Sequence, residues 1–130
     1  MCSIKHGERF LKNYASLSQV LTDEPLAALG DAYVNFVYSL ALSKRTGKPR
    51  GKKVKGAPLA GAVRKAGLRQ SLPTRIDKHN ISDAAEGLLV YAWLNNCFTL
   101  EESVEVLEKT DDLEEGLTRL LLIAKEKVRL

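Results

Sequence analysis

Hydrophobic residues recur along most of the chain at the three- and four-residue intervals of an amphipathic helix. Near the beginning, Phe10, Tyr14, Leu17 and Leu21 are separated by four, three and four residues. This stripe predicts a first helix over residues 7–21. No segment alternates between apolar and polar residues for long enough to indicate a β-strand.

A second helix is predicted to start at TDEP, residues 22–25. This sequence supplies an N-cap candidate, acids for the first turn and a proline whose missing N–H is harmless at that position. The apolar residues of LAALGDAYVNFVYSLAL, which follow directly, continue the helical spacing. Lys44 and Arg45 suit the negative C-terminal end of such a helix, and Gly47 is the predicted terminator.

Glycine and proline interrupt the middle of the chain. Residues 46–56, TGKPRGKKVKG, have the composition of a loop, and with no strong apolar residue except Val54 they have nothing to drive packing. The next dipeptide, AP, opens a short helix that is predicted to end at Gly67. Residues 68–79 are predicted to be irregular, because Pro73 prevents a helix from continuing.

Three further helices complete the prediction. Asn80 or Ser82 is expected to cap a helix, DAAEGLLVYAWLNN, that is apolar on nearly every side and therefore belongs in the middle of a bundle. TLEE, residues 99–102, is a capping box for the next helix, and DDLE, residues 111–114, starts the last one. The predicted fold is all-α, with five or six helices in a single domain over residues 1–130.

The composition is that of an ordinary globular domain, since 45% of the residues are hydrophobic and 28% are charged. The opening residues, MCSIKHGERF, lack the apolar middle region of a signal peptide. No apolar run is expected to cross a membrane, which takes roughly 20 residues. We therefore expect a cytoplasmic protein without a membrane partner.

The net charge of +4 conceals a strong asymmetry. Between Lys44 and Lys78 the chain carries twelve Lys or Arg residues and one acid, Asp77, whereas the remainder has eight basic and fifteen acidic residues. A cationic surface formed by contiguous sequence attracts polyanions such as nucleic acids. The alternative is a solvated loop whose charge only serves solubility.

Three acids lie in or beside strongly apolar helices. Asp31 follows Gly30 in the middle of a helix, where both residue types are unfavourable. Asp83 and Glu86 are three residues apart at the start of the central helix, so both project from one face. One interpretation makes Asp83 a capping acid and pairs the other two with Lys or Arg. The other gathers all three around Mg²⁺ or Mn²⁺, which prefer oxygen ligands.

Two segments resemble the motifs of the ribonuclease III family. LGDAYVNFVYSLAL, residues 29–42, resembles the signature helix of that family, usually ERLEFLGDAVL. ISDAAEGLLVYAWL, residues 81–94, resembles its second motif, typically LADAFEALIGAIYLD, and follows in the order of the family. The resemblance covers about residues 23–96 and implies the helical bundle of a ribonuclease III endonuclease domain, with a helical extension over residues 99–130.

In that family, the signature aspartate and the Asp and Glu of the second motif hold the catalytic magnesium. The resemblance implies that Asp31, Asp83 and Glu86 are metal ligands, and that Asp31 and Glu86 are catalytic. The signature has another ligand glutamate where this chain has Ala27. Glu24 lies two helical turns before Asp31 on the same face and could support the site through water. The short class called Mini-ribonuclease III also lacks that glutamate, in segments such as PLALAYIGDAVYEL, which PLAALGDAYVNF resembles.

The resemblance further implies an endoribonuclease that cleaves double-stranded or structured RNA, with Mg²⁺ activating the water that attacks phosphorus. Family members homodimerise through the signature helix. Tyr33, Phe36, Val37 and Leu40 are apolar enough to serve either that contact or the core of the monomer.

RNA is expected to lie along the dimer face and against four cationic side chains of the loop, which contact phosphates with little sequence selectivity. These side chains are Arg50, Lys52, Lys53 and Lys55. Because Ala27 leaves the signature helix one ligand short, the alternative is a catalytically weak or inactive RNA-binding or assembly protein with the same fold.

Overall fold

Six α-helices and one 3₁₀ turn occur in the part of the chain that the structure, a computed structural model, describes, namely residues 10–128 and 130. No β-strand is found among those residues, so the all-α prediction is confirmed. In chain order the elements are α1 (Leu17–Leu21), α2 (Glu24–Thr46), α3 (Gly56–Lys65), the 3₁₀ turn Arg69–Ser71, α4 (Lys78–Leu94), α5 (Leu100–Lys109) and α6 (Leu113–Lys127).

Helix α2 begins and ends where the sequence predicts. The Asp23 carboxylate accepts a hydrogen bond from the backbone N–H of Leu26 at 3.2 Å, which caps the first turn. At the other end Gly47 adopts the left-handed conformation, with a φ of +77°, and closes the helix. Between these caps α2 runs for 23 residues and packs mainly against α4 and α5.

The first helix is much shorter than predicted. The prediction of a helix over residues 7–21 is wrong for residues 10–16, which are not helical, and its first three residues lie outside the described residues. The Tyr14 hydroxyl donates a hydrogen bond to Asp23 at 2.6 Å, and its ring meets that of Tyr91 edge-on at 5.3 Å. The apolar spacing therefore reflects a non-helical segment that packs across the bundle.

Helix α4 begins earlier than predicted, because Asp77 is its N-cap rather than Asn80 or Ser82. The Asp77 carboxylate accepts a hydrogen bond from the backbone N–H of Asn80 at 2.8 Å. Asp83 consequently lies beyond the first turn, where no unpaired backbone N–H remains for it to cap. The interpretation of Asp83 as a capping acid is therefore excluded. Most of the rest of α4 is buried, as the sequence predicts.

Helices α2 and α4 cross at backbone contact distance. A Cβ atom at Gly30 would lie 2.0 Å from the carbonyl oxygen of Glu86, which is closer than real side chains approach. A Cβ atom at Gly87 would lie 3.7 Å from the Cα of Ala27. Packing therefore requires the glycine in the middle of α2, and the close crossing brings Asp31 next to Glu86.

The C-terminal helices are capped by their own sequence and tied to α2. Thr99 and Glu102 form the predicted capping box of α5, and Asp112 caps α6. Arg45, near the end of α2, satisfies carbonyl groups that the end of α5 leaves free. Its guanidinium donates hydrogen bonds to the carbonyl oxygens of Leu107, Glu108 and Thr110.

By length and composition alone, α2 is apolar enough to cross a membrane, with a mean hydropathy of 1.2. It is the one helix in the described part of the chain that meets this test, so the expectation that no run reaches that length does not hold. The core helix of a soluble protein meets the same test, and α2 packs against α4 and α5. A single such helix is therefore weak support for a membrane span.

Candidate active site

A cleft of about 560 Å³ opens between α2, α4 and the start of α3. All four acids predicted for the site, Glu24, Asp31, Asp83 and Glu86, line it. Two of them come from α2 and two from α4, and the close crossing of these helices at Gly30 brings both pairs to one opening. The cleft is therefore the candidate active site.

Glu86 is the most deeply buried of the four acids, with 5% of its surface exposed. Burial raises the pKa of its carboxyl group to about 8; a hydrogen bond with Asp31 and the charges of Asp31 and Asp83 act in the same direction, whereas Lys53 lowers it. Over the described residues, no Lys or Arg forms a salt bridge with Glu86 or Asp31. Among the described residues, therefore, neither acid has the salt-bridge partner that the ion-pair interpretation expects.

Asp31 is held by Asn35, which is not among the predicted site residues. The side-chain Nδ2 of Asn35 donates a hydrogen bond to Oδ1 of Asp31 at 3.2 Å. The two residues are four apart and share one face of α2. The sequence does contain a signal for this arrangement, because Asp31, Asn35, Ser39 and Ser43 place a polar residue at every fourth position of a largely apolar helix. We call these four residues the polar stripe.

Asp83 is partly exposed in the cleft. Burial raises the pKa of its carboxyl group, the charges of Glu24, Asp31 and Asp77 raise it further, and His79 lowers it. His79 lies in the first turn of α4 and also lines the cleft, with its Nε2 atom 3.5 Å from Oδ2 of Asp83. The negative potential of the cleft thus reaches its exposed side.

The acids fit a divalent cation by their chemistry. Carboxylate oxygens suit Mg²⁺ and Mn²⁺, and a cation would relieve the repulsion between them. The feature that fits a cation is the buried Glu86 carboxyl group beside Asp31, which has no salt bridge to a Lys or Arg among the described residues. Within residues 10–128 and 130, however, no three His, Cys, Asp or Glu side chains already lie close enough together to hold a metal ion. The assignment of Asp31, Asp83, Glu86 and Glu24 as metal ligands stays a prediction.

Ala27 lines the same cleft at the position of the missing signature glutamate. Ala27 is buried, its backbone lies close to Gly87, and its methyl side chain offers no oxygen to a cation. Glu24, one turn earlier, also lines the cleft but is exposed. Helix α2 therefore supplies one carboxylate in contact with Glu86, that of Asp31, and a second at the exposed side.

Residues 50–55, which we call the basic strap, run along α2. Every second backbone N–H of the strap donates a hydrogen bond to a side chain of the polar stripe. These bonds join Arg50 to Ser43 at 2.9 Å, Lys52 to Ser39 at 2.9 Å and Val54 to Asn35 at 2.7 Å. The Val54 side chain is also buried. The prediction that nothing in this segment drives packing is wrong, because the helix itself supplies the partners.

The cationic side chains of the strap lie in two places. Lys53 lines the cleft, and its charge acts on Glu86. Arg50, Lys52 and Lys55 are exposed and do not line the cleft. One of the four predicted RNA-binding residues therefore lies beside the acids, and the other three extend the positive surface away from them.

Part of the positive charge between Lys44 and Lys78 is engaged within the molecule. Arg45 binds carbonyl oxygens of α5, and Arg69 binds two carbonyl oxygens of its own loop. Lys65 forms a salt bridge with a glutamate of α6 at 2.7 Å. The positive surface available to a polyanion is therefore smaller than the number of basic residues indicates.

A model of the family described as Ribonuclease III matches residues 24–127. This chain belongs to the ribonuclease III family. The matched range contains both acid-bearing helices and continues through α5 and α6, beyond the residues that carry the motif resemblance. The family defines a nuclease-type hydrolase with RNA as its class of substrate. The comparison with curated proteins gives no match.

Proposed function

We propose that this protein is a divalent-metal-dependent endoribonuclease that cleaves double-stranded or structured RNA in the cytoplasm. The observation that carries the proposal is the contact between Glu86 and Asp31 in the cleft. A buried acid beside a second carboxylate, with no basic partner among the described residues, is costly for a purely structural role. Binding of a cation by the carboxylate oxygens of Glu86 and Asp31 would account for this arrangement.

In the proposed reaction, Asp31 and Glu86 would hold the cation, and Asp83 and Glu24 would add negative charge to the same cleft. When bound, Mg²⁺ or Mn²⁺ supplies Lewis-acid activation of the attacking water and neutralises charge on the phosphate. Glu86 must lose its proton for the cation to bind. The Lys53 ammonium, at the edge of the cleft, stabilises the negative charge that develops on the phosphoryl oxygens.

The strap supplies the contacts that keep the duplex in place. An A-form duplex is recognised mainly through its phosphates and 2′-hydroxyls, for which lysine and arginine are adequate donors. Arg50, Lys52 and Lys55 are exposed next to Lys53 and would contact successive phosphates. Such contacts give affinity with little sequence selectivity.

We also propose a homodimer formed through the exposed face of α2. Phe36 and Leu29 are 54% and 42% exposed, although both are large apolar residues. Tyr33 and Val37 are buried in the core, and Leu40 is partly buried against it. The residues available for contact with a second copy are therefore Phe36 and Leu29, with Leu40 at the edge.

A catalytically weak or inactive RNA-binding or assembly protein is the second candidate. Two observations favour it. Ala27 contributes no ligand, and the described part of the chain holds no three side chains already arranged around a metal position. Such a protein would use the basic strap and the exposed face of α2 but would not need the acids.

Cleavage of a labelled duplex RNA in Mg²⁺ and in EDTA separates the two candidates. We expect products in Mg²⁺ alone, and a loss of rate of at least about 100-fold in Glu86→Gln and in Asp31→Asn. Glu105→Gln, an exposed position on α5, is the matched control and should retain activity.

Salt-sensitive binding of the duplex by the wild-type protein, without cleavage in Mg²⁺ or Mn²⁺, would establish the second candidate. Cleavage that persists unchanged in both acid variants would remove the carboxylate cleft from the reaction. The absence of binding and cleavage at low salt would rule out both candidates.

A further inference from the structure

The three hydrogen bonds between strap and helix have a regular spacing with a geometric cause. An extended chain advances about 3.3 Å per residue, so two residues span about 6.6 Å. A helix rises about 1.5 Å per residue, so four residues span about 6 Å. Every second residue of the strap can therefore stay in register with every fourth residue of α2 over the three hydrogen bonds observed.

Of these three hydrogen bonds, the one nearest the acids is accepted by Asn35, and Asn35 differs from the other two acceptor residues. Ser39 and Ser43 form hydrogen bonds with backbone groups only. Asn35 uses both halves of its amide: Oδ1 accepts from the N–H of Val54 at 2.7 Å, and Nδ2 donates to Asp31 at 3.2 Å. This one side chain links the strap directly to an acid of the cleft.

Lys53 lies between two residues of the strap whose backbones are anchored to α2. The N–H groups of Lys52 and Val54 are the anchored ones. The Lys53 side chain lines the cleft, and its charge acts on Glu86. Loss of the anchor at Val54 would therefore let Lys53 move away from the acids.

We propose that Asn35 is a positioning residue of the active site, which joins the strap to Asp31 and so holds Lys53 where its ammonium group meets a phosphate of the RNA. The role of Lys53 in this inference rests on the proposed function, whereas the anchor rests on contacts alone. An asparagine suits the position because a neutral amide donates and accepts at once. An aspartate would keep the acceptor for Val54 but place a second carboxylate against Asp31.

Amide hydrogen exchange on the full chain tests the anchor without reference to activity. We expect the Val54 amide to be protected in the wild type and to exchange at least about tenfold faster in Asn35→Ala. Ser43→Ala is the matched control, because it removes the α2 side chain that anchors the other end of the strap. It should expose the Arg50 amide and leave the Val54 amide protected. An unchanged rate at Val54 in Asn35→Ala would overturn the proposal.

A double-mutant cycle tests whether Asn35 acts through Lys53. Binding of a short duplex RNA is measured in EDTA, so that cleavage does not intervene. We expect Lys53→Ala to weaken binding about fivefold, Asn35→Ala nearly as much, and the double variant no more than Lys53→Ala alone. Ser43→Ala should combine additively with Lys53→Ala. Additive losses of affinity in the double variant would overturn the positioning role. They would show that Asn35→Ala weakens binding even when Lys53 is absent, as a general loss of stability would.

The aspartate variant gives a second readout that a structural role would not move. Asn35→Asp should keep Val54 protected and bind RNA in EDTA like the wild type, yet cleave it at least about tenfold more slowly. Wild-type cleavage in this variant would overturn the link to Asp31. If the wild-type protein binds no duplex RNA at all, the proposed function fails, and exchange at Val54 still decides for or against the anchor.

Discussion

Glu86 combines two properties that oppose each other, since it is buried and it is acidic. Its ordinary pKa is 4.5, and burial with the neighbouring acids raises the pKa to about 8 in the folded protein. Because the folded-state pKa is the higher one, the contribution of this group to stability is complete below pH 4.5 and is lost as the pH rises through 8. A bound cation would reverse that loss by stabilising the folded state.

Glu86→Gln is therefore expected to stabilise the metal-free protein by about 2 kcal/mol at about pH 8.5, because a neutral amide replaces a buried charge. The difference from the wild type should shrink toward zero as the pH falls below about 4.5, where the acid is protonated. Urea unfolding in EDTA across this pH range measures both effects.

Glu105→Gln is the control for that experiment. Glu105 is exposed, and a hydrogen bond with Lys109 lowers its pKa, so removal of its charge should bring no gain at high pH. If the wild-type and Glu86→Gln proteins kept a constant difference in unfolding free energy at every pH, the raised pKa of Glu86 would be contradicted.

At the scale of helices and loops, the sequence predicts what depends on neighbours within one turn. The caps of α2, α5 and α6 are of this kind, and they lie within the predicted helix starts. The cap of α4 is the exception, because Asp77 caps that helix in place of the predicted Asn80 or Ser82. The prediction of a helix over residues 7–21 is wrong for residues 10–16. Apolar spacing alone does not distinguish one face of a helix from a non-helical segment whose aromatic rings pack on the bundle. The strap was missed because its bonds join residues 13 and 19 positions apart, which no local rule relates.

The acids of the candidate site could be selected from the sequence because apolar helices do not explain them. Their arrangement could not, since it depends on how closely α2 approaches α4. Gly30 looks like a defect in the sequence of α2 and is the point where the two backbones touch. Asn35 was overlooked for a similar reason, because its second partner, Val54, lies across a loop.

Gly30→Ala is expected to destabilise the protein by about 3 kcal/mol or more, since the added methyl group would meet the backbone carbonyl of Glu86 at 2.0 Å. The two helices would have to separate, which would also part Asp31 from Glu86. Gly51→Ala is the matched control, because a Cβ atom at Gly51 has no neighbour within 4 Å. Urea unfolding compares the variants, and equal stabilities would show that the crossing is looser than described.

At the scale of the whole molecule, α2 presents three different faces. The polar stripe meets the strap and the cleft, and Tyr33 and Val37 pack into the core. The third face carries Leu29 and Phe36 into solvent. A second copy seated on that face would bring two clefts and two straps into one assembly, along a duplex that neither copy would cover alone.

Phe36→Glu is expected to convert a dimer into a monomer, because dimerisation would bury an unpaired carboxylate. The fold should not change, since the Phe36 side chain is 54% exposed. Leu122→Glu is the matched control, as Leu122 is 45% exposed on α6 and should leave the dimer intact. Sedimentation equilibrium over a range of concentrations measures the association.

The same variant decides whether the dimer is the form that binds RNA. With two straps on one duplex, the number of neutralised phosphates doubles, and the slope of log affinity against log salt concentration should be about twice that of Phe36→Glu. Titration of a labelled duplex in EDTA at several salt concentrations gives both slopes. A monomeric wild type, or equal slopes for the dimer and the variant, would mean that the exposed face of α2 serves some other contact and that one strap alone holds the RNA.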